Sequence, residues 1–147
     1  MSNIFISYAH ADAPRVEDIK HELRRLGIVH DGDRFVDPNH VAVPGSSLRG
    51  VLRKEIEAAS MVVVLWGREA SASANVNYEA GMADALDKPI VLVVPEGEVS
   101  RPRLGASSMQ VVELHGWDAR AGRAPATAAQ GVRLSQPDAA TWKPPRP

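Results

Sequence analysis

Two unbroken apolar runs constrain this chain more than any other feature: residues 61–66 (MVVVLW) and 90–94 (IVLVV). A strand with one wet face alternates apolar and polar positions. These runs do not, so they predict strands covered on both faces, as in a parallel sheet clad by helices. The segments around them carry helical spacing. Val16, Ile19, Leu23 and Leu26 form an inward stripe in a helix over about 14–26, with Asp12 as its cap, Pro14 in its first turn and Gly27 as its stop. Leu48, Leu52, Ile56 and Ala59 form a second stripe, capped by Ser46 or Ser47. Short apolar runs at 3–8 and 111–114, and a weaker one ending in Phe35-Val36 after the turn Asp31-Gly32-Asp33, complete the strands.

Strands and helices therefore alternate, which implies a parallel five-stranded sheet with helices on both faces. Right-handed crossovers leave few topologies, and the flavodoxin-like order 2-1-3-4-5 leads. Ligands of such sheets bind beyond the carboxyl ends of the strands, where strand order reverses. That gathers Tyr8, Ala9 and His10 with Trp66 and Gly67 around one crevice. The loop from Asp37 to Gly45 borders it; with Pro38, Pro44 and Gly45 it is long for a strand-to-helix connection and reads as a mobile flap.

One helix breaks its own pattern. Glu79, Met82, Ala83 and Leu86 lie at i, i+3, i+4 and i+7, so a carboxylate heads a stripe that is otherwise apolar. The plain reading is an acid at a helix edge that reaches solvent. The functional reading is an acid at the rim of a site, because the first half of this helix opens on the crevice. Ser73 is most simply the cap of this helix, and Asp87-Lys88-Pro89 its stop.

Composition narrows the chemistry. The 147 residues make one domain, 44% apolar and 24% charged, with a formal net charge of -1. Neither nucleic acid nor a membrane is the expected partner. There are no cysteines, hence no disulfide, thiol nucleophile or thiolate metal site, which fits a cytoplasmic protein. The five histidines share no metal-ligand spacing, and no metal site is expected. Ser7 and Ser73 have no base nearby in sequence. No glycine-rich phosphate loop is present, so any nucleotide is held by other means. The N-terminus lacks the pattern of a signal peptide, and no stretch approaches the ~18 apolar residues of a membrane span. Residues 1–117 read as the domain. Residues 118–147, rich in Ala, Pro, Gly and Arg, read as a flexible tail that the fold does not need.

These residues resemble a known family. FISYAHAD, residues 5–12, resembles the first-strand motif of TIR domains, especially bacterial ones. Gly45-x-x-Leu48 with Ile56, Ala59 and Ser60 is similar to the family's second loop and helix. Ser73-x-Asn75-Val76-x-x-Glu79 resembles its Ser-x-Trp-Val-x-x-Glu, and Lys88-Pro89-Ile90 the entry to its fourth strand. The chain departs from that pattern at Asn75, where a Trp often stands, and at Trp66-Gly67, where a serine commonly ends the third strand.

The resemblance implies a flavodoxin-like fold and one of two roles. One is cleavage of the nicotinamide–ribose bond of NAD by the glutamate matching Glu79. It would make ADP-ribose or a cyclic isomer, with no cofactor beyond NAD as substrate, in bacterial defence or as a toxin. The other is assembly with further TIR domains and no catalysis. Self-association and a separate sensor or activator chain are the partners it implies. Tyr8, Ala9, His10, Asp37, Gly45, Trp66, Ser73 and Asn75 are the candidate substrate contacts around Glu79. Their plain alternatives are packing for Tyr8, a solvated loop for His10 and a turn for Gly45. A third reading comes from Glu79-Ala80-Gly81-Met82-Ala83 followed by Lys88-Pro89, which also resembles the nucleotide-binding helix of nucleoside deoxyribosyltransferases.

Overall fold

The computed structural model describes residues 2–38, 48–104, 109–115, 117 and 132–135. The strands are β1 (Asn3–Ser7), β2 (Arg34–Val36), β3 (Met61–Leu65), β4 (Ile90–Pro95), β5 (Met109–Leu114) and β6 (Val132–Ser135). The helices are α1 (Val16–Arg25), α2 (Leu48–Ala58) and α3 (Ala74–Ala85). The sheet order is β2-β1-β3-β4-β5-β6. The first five strands are parallel, in the flavodoxin-like order expected from the alternation.

The two apolar runs are the centre of this sheet, every residue of β3 and β4 being buried. Alternate side chains go to opposite faces. Phe5, Val62, Val64 and Leu92 pack with Leu52 and Ile56 of α2 and Val76, Ala80 and Ala83 of α3. Ile4, Ile6, Val63, Leu65 and Val93 pack with Val16, Ile19 and Leu23 of α1. Ser7, two residues after Phe5, falls on the α3 side by the same alternation.

Two details differ from expectation, and one gives the expected stop of α3 its geometry. The first helix is split: a 3-10 stretch, His10–Arg15, precedes α1. It opens with the Asp12 amide donating to the Ala9 carbonyl at 2.8 Å. Asp12 gives no side-chain cap; it is buried and accepts from Arg15 Nη1 at 3.1 Å. Secondly, α3 ends with Asp87 at φ 55°, a left-handed residue that lets the Lys88 amide reach the Ala83 carbonyl at 2.9 Å. Thirdly, the stretch that composition sets apart as a tail supplies β6, antiparallel to β5. Val132–Ser135 thus belongs to the sheet, and cutting the chain after Trp117 would strip β5 of a paired neighbour. The expected caps of α2, Ser46 or Ser47, lie outside the described residues.

Gly67 closes the far end of β3. A Cβ there would stand 2.8 and 2.9 Å from the Asp12 carboxylate oxygens and 3.1 Å from the Trp117 indole nitrogen. Arg15 Nε donates to the Trp117 carbonyl at 2.7 Å, tying this corner to the end of β5. No side chain fits without displacing a buried carboxylate. Gly67→Ala is therefore expected to destabilise the fold by about 1–3 kcal/mol, the usual cost of overpacking. Urea unfolding monitored by tryptophan fluorescence measures it. An unchanged midpoint would show that Asp12 moves aside freely.

Candidate functional site

Glu79 sits one and a half turns into α3, a helix whose N-terminus is fixed by Ser73. The Ser73 hydroxyl accepts from the Val76 amide at 3.2 Å. Val76, Ala80 and Ala83 pin the helix to the sheet. That phase turns Glu79 towards β1 and leaves it 4% exposed. There the Ser7 hydroxyl donates to Glu79 Oε1 at 2.6 Å, across 72 positions of sequence. Glu79 is thus a buried, bonded group, not an acid at a helix edge.

The neighbouring residue of β1 brings a second acid. The Tyr8 hydroxyl donates to Asp37 Oδ2 at 2.6 Å, holding the residue that follows β2. Asp37 is near enough for its charge to disfavour a second negative charge on Glu79. The Glu79 carboxyl is pushed up to about 7. Desolvation by burial is the main cause, the Ser7 hydrogen bond opposes it, and the Asp37 charge adds to it. Near neutrality the group is therefore divided between its two protonation states. Ser7 favours the ionised one.

The other sequence candidates divide. Asn75, exposed in the first turn of α3, is one turn before Glu79 on the same stripe. Ala9 is buried, and His10 is exposed at the start of the 3-10 stretch. Trp66 is 2% exposed, and its indole nitrogen donates to Ser100 Oγ at 3.1 Å. It lines a recess with Asn77 and Gly81. At roughly 100° per residue those two lie about 160° round the helix from Glu79. Trp66 and Glu79 thus serve opposite sides of α3. Gly45 lies outside the described residues.

Ser7 is the partner that sequence reasoning passed over. In sequence it is a serine with no base nearby. The period of β1 was the available signal, because it sets Ser7 on the face that receives α3. Among the described residues no cluster of three or more His, Asp or Glu could hold a metal. Among them, too, no helix is long and apolar enough to cross a membrane.

The raised Glu79 carboxyl has a consequence for stability with a definite sign. Its folded value, about 7, exceeds the ordinary 4.5, so the folded state holds the proton more tightly. Its contribution is fully present below pH 4.5 and is lost as pH rises to about 7. The loss is on the order of 3 kcal/mol at about 1.4 kcal/mol per pH unit. Glu79→Gln carries no titrating group and is expected to become the more stable protein above pH 7. Ser7→Ala removes the bond that favours ionisation, so the decline should extend about one pH unit higher. Denaturant unfolding from pH 4 to 9 measures both. Parallel curves for wild type and Glu79→Gln would contradict the buried-carboxyl description.

Comparison with known proteins bears on the fold. The chain resembles the TIR domains of the activated Roq1 resistosome, which directly recognises the pathogen effector XopQ, with a TM-score of 0.52 at 17% identity. That match covers 67% of this chain and 60% of the other, so the chain spans less than two thirds of that relative. It also resembles the CMP N-glycosidase BcmB of Clostridium botulinum, with a TM-score of 0.53 at 19% identity over 76% of this chain and 87% of that one. A conserved protein of Enterococcus faecalis gives a TM-score of 0.51 at 18% identity, over 66% and 65% of the two chains. No curated protein sequence matches the chain. Residues 4–126, most of the chain, match the TIR domain family, and the fold and the order of the motifs agree: this chain belongs to the TIR domain family.

Proposed function

We propose that this TIR domain cleaves the N-glycosidic bond between nicotinamide and ribose in NAD, with Glu79 as the catalytic residue. The observation that carries the reading is the buried carboxyl of Glu79, bonded by Ser7 at the carboxyl end of β1 and poised near pH 7. Such a group favours a chemical role over docking alone. Burying it costs stability at neutral pH, and an exposed side chain there would not.

The chemistry needs no second acid. Glycosidases that expel an alcohol use one carboxyl to protonate the leaving oxygen. Nicotinamide in NAD is already cationic and departs neutral. Positive charge moves onto the ribose as the bond breaks, and an ionised Glu79 stabilises it in a site shielded from water. Ser7 favours the ionised carboxylate and aims it. In this reading Asp37, held by Tyr8, accepts from ribose hydroxyls, and Asn75 meets the substrate. Water or a hydroxyl of the same molecule then takes the ribose, giving ADP-ribose or a cyclic isomer.

Self-association accompanies this reading, since the TIR domains similar to this chain act within a resistosome. A separate activating chain and a part in bacterial defence belong to the same proposal. A second reading is cleavage of a nucleotide or deoxynucleoside. It is favoured by the likeness to the CMP N-glycosidase, most of whose length this chain matches.

The test incubates concentrated protein with NAD, CMP or 2′-deoxynucleosides and resolves free nicotinamide and free base by chromatography. Wild type is expected to release nicotinamide. Glu79→Gln should lose about two to three orders of magnitude in turnover, the scale of one preorganised electrostatic contact. Release of base from CMP or deoxynucleosides alone would establish the second reading. Nicotinamide release by Glu79→Gln at the wild-type rate would move the chemistry to other residues. No release from any substrate, at a concentration where the chain self-associates, would leave a docking role.

A further inference from the structure

On the far side of α3 lies a recess of about 400 Å³ between the helix, the end of β3 and loop residues 101–104. Its volume is within the ~300–1,000 Å³ of small-molecule sites. Nothing in the reaction proposed for Glu79 uses it, because the helix itself stands between the two.

Its chemistry is one-sided. No carboxylate lines it, whereas Arg101 and Arg103 both do. Arg101 Nη1 donates to the carbonyls of Glu98 and Ser100, each at 2.7 Å, which fixes the guanidinium and leaves Nε and Nη2 for a ligand. Arg103 has no hydrogen bond or ion pair within the described residues. The nearby acid, Glu98, is committed to Ser100. It accepts from that residue's amide at 3.1 Å and its hydroxyl at 2.7 Å. Those bonds, with the charges of Arg101 and Arg68, hold its carboxyl below the usual range.

Two further features belong to the wall of the recess. Asn77 Nδ2 donates to the carbonyls of Ala70, Ser71 and Ser73 at 3.3, 3.2 and 2.9 Å. Three acceptors on one side settle the amide's orientation and leave Oδ1 as an open acceptor in the wall. Gly81 sits in mid-helix, where glycine costs about 1 kcal/mol relative to alanine. A Cβ there would meet nothing within 4 Å, so packing does not demand glycine. The missing side chain keeps the recess open.

We propose that this recess binds a small phosphomonoester on a hydroxylated ring, of the size of a sugar phosphate or mononucleotide. Two guanidinium groups suit a phosphate, which planar N–H forks clamp through paired bonds. Asn77 Oδ1 accepts from a ring hydroxyl. Leu104 and the Trp66 edge supply the apolar side.

Titration of the ¹⁵N-labelled chain with ribose 5-phosphate, AMP, adenosine and inorganic phosphate tests this, read at the Trp66 indole and arginine Nε–H resonances. Saturable shifts are expected with ribose 5-phosphate or AMP. Adenosine and inorganic phosphate should bind at least about tenfold more weakly, having lost one half of the recognition. The double variant Arg101→Ala/Arg103→Ala should weaken binding by a similar factor, and Gly81→Leu should fill the recess and do the same. Both arginines are exposed, so the double variant keeps the test valid if Gly81→Leu does not fold. The proposal is overturned by the absence of saturable shifts, by equal binding of inorganic phosphate, or by shifts that survive the arginine double variant. It is equally overturned by shifts that map to Ser7 and Glu79 instead.

Discussion

Placing one carboxylate where water hardly reaches it is the constraint around which this domain is arranged. Glu79 is held there because Val76, Ala80 and Ala83 fasten α3 to the sheet, and the phase of the helix leaves it no other direction. Removing a charge from water is costly unless something compensates. Ser7 compensates in part, with a single 2.6 Å bond, and Asp37 works against it. The balance leaves the carboxyl divided between two states near neutral pH.

The helix that carries Glu79 is asymmetric in what it offers. One side presents the acid to the end of β1, with the exposed Asn75 a turn before it. The opposite side presents Asn77 and Gly81 to a recess with two guanidinium groups. A parallel sheet makes this possible, because its loops gather at the carboxyl ends of the strands on both flanks of a single helix. Family membership and fold therefore leave room for chemistry that is set locally, by individual side chains.

Much of the framework was legible in the sequence because it rests on burial. The runs at 61–66 and 90–94 could only be strands covered on both faces, and they are β3 and β4. Spacing in α1 foretold the Val16, Ile19 and Leu23 contacts. The break in the stripe of α3 drew attention to Glu79. Pairings distant along the chain were not legible. Ser7 meets Glu79 only after β1 and α3 are packed, and Asp12 turns inward because Arg15 and the corner at Gly67 receive it. Trp66, one of the candidate substrate contacts around Glu79, lines the other side of the helix, a matter of helical phase that residue type does not reveal. β6 escaped notice because a four-residue strand in an Ala- and Pro-rich stretch draws its stability from pairing with β5, not from its own pattern.

The central claim is that the buried carboxyl of Glu79 is the group whose ionisation sets activity. Its titration can be followed directly by ¹³C NMR of the glutamate side-chain carboxyls, assigned by loss of one signal in Glu79→Gln. The pH dependence of nicotinamide release is measured on the same protein. The account predicts that the Glu79 carboxyl titrates near 7, and that release falls with acid around that same midpoint. A Glu79 carboxyl that titrates near the ordinary 4.5, or a rate that stays constant while the carboxyl takes up its proton, would contradict it.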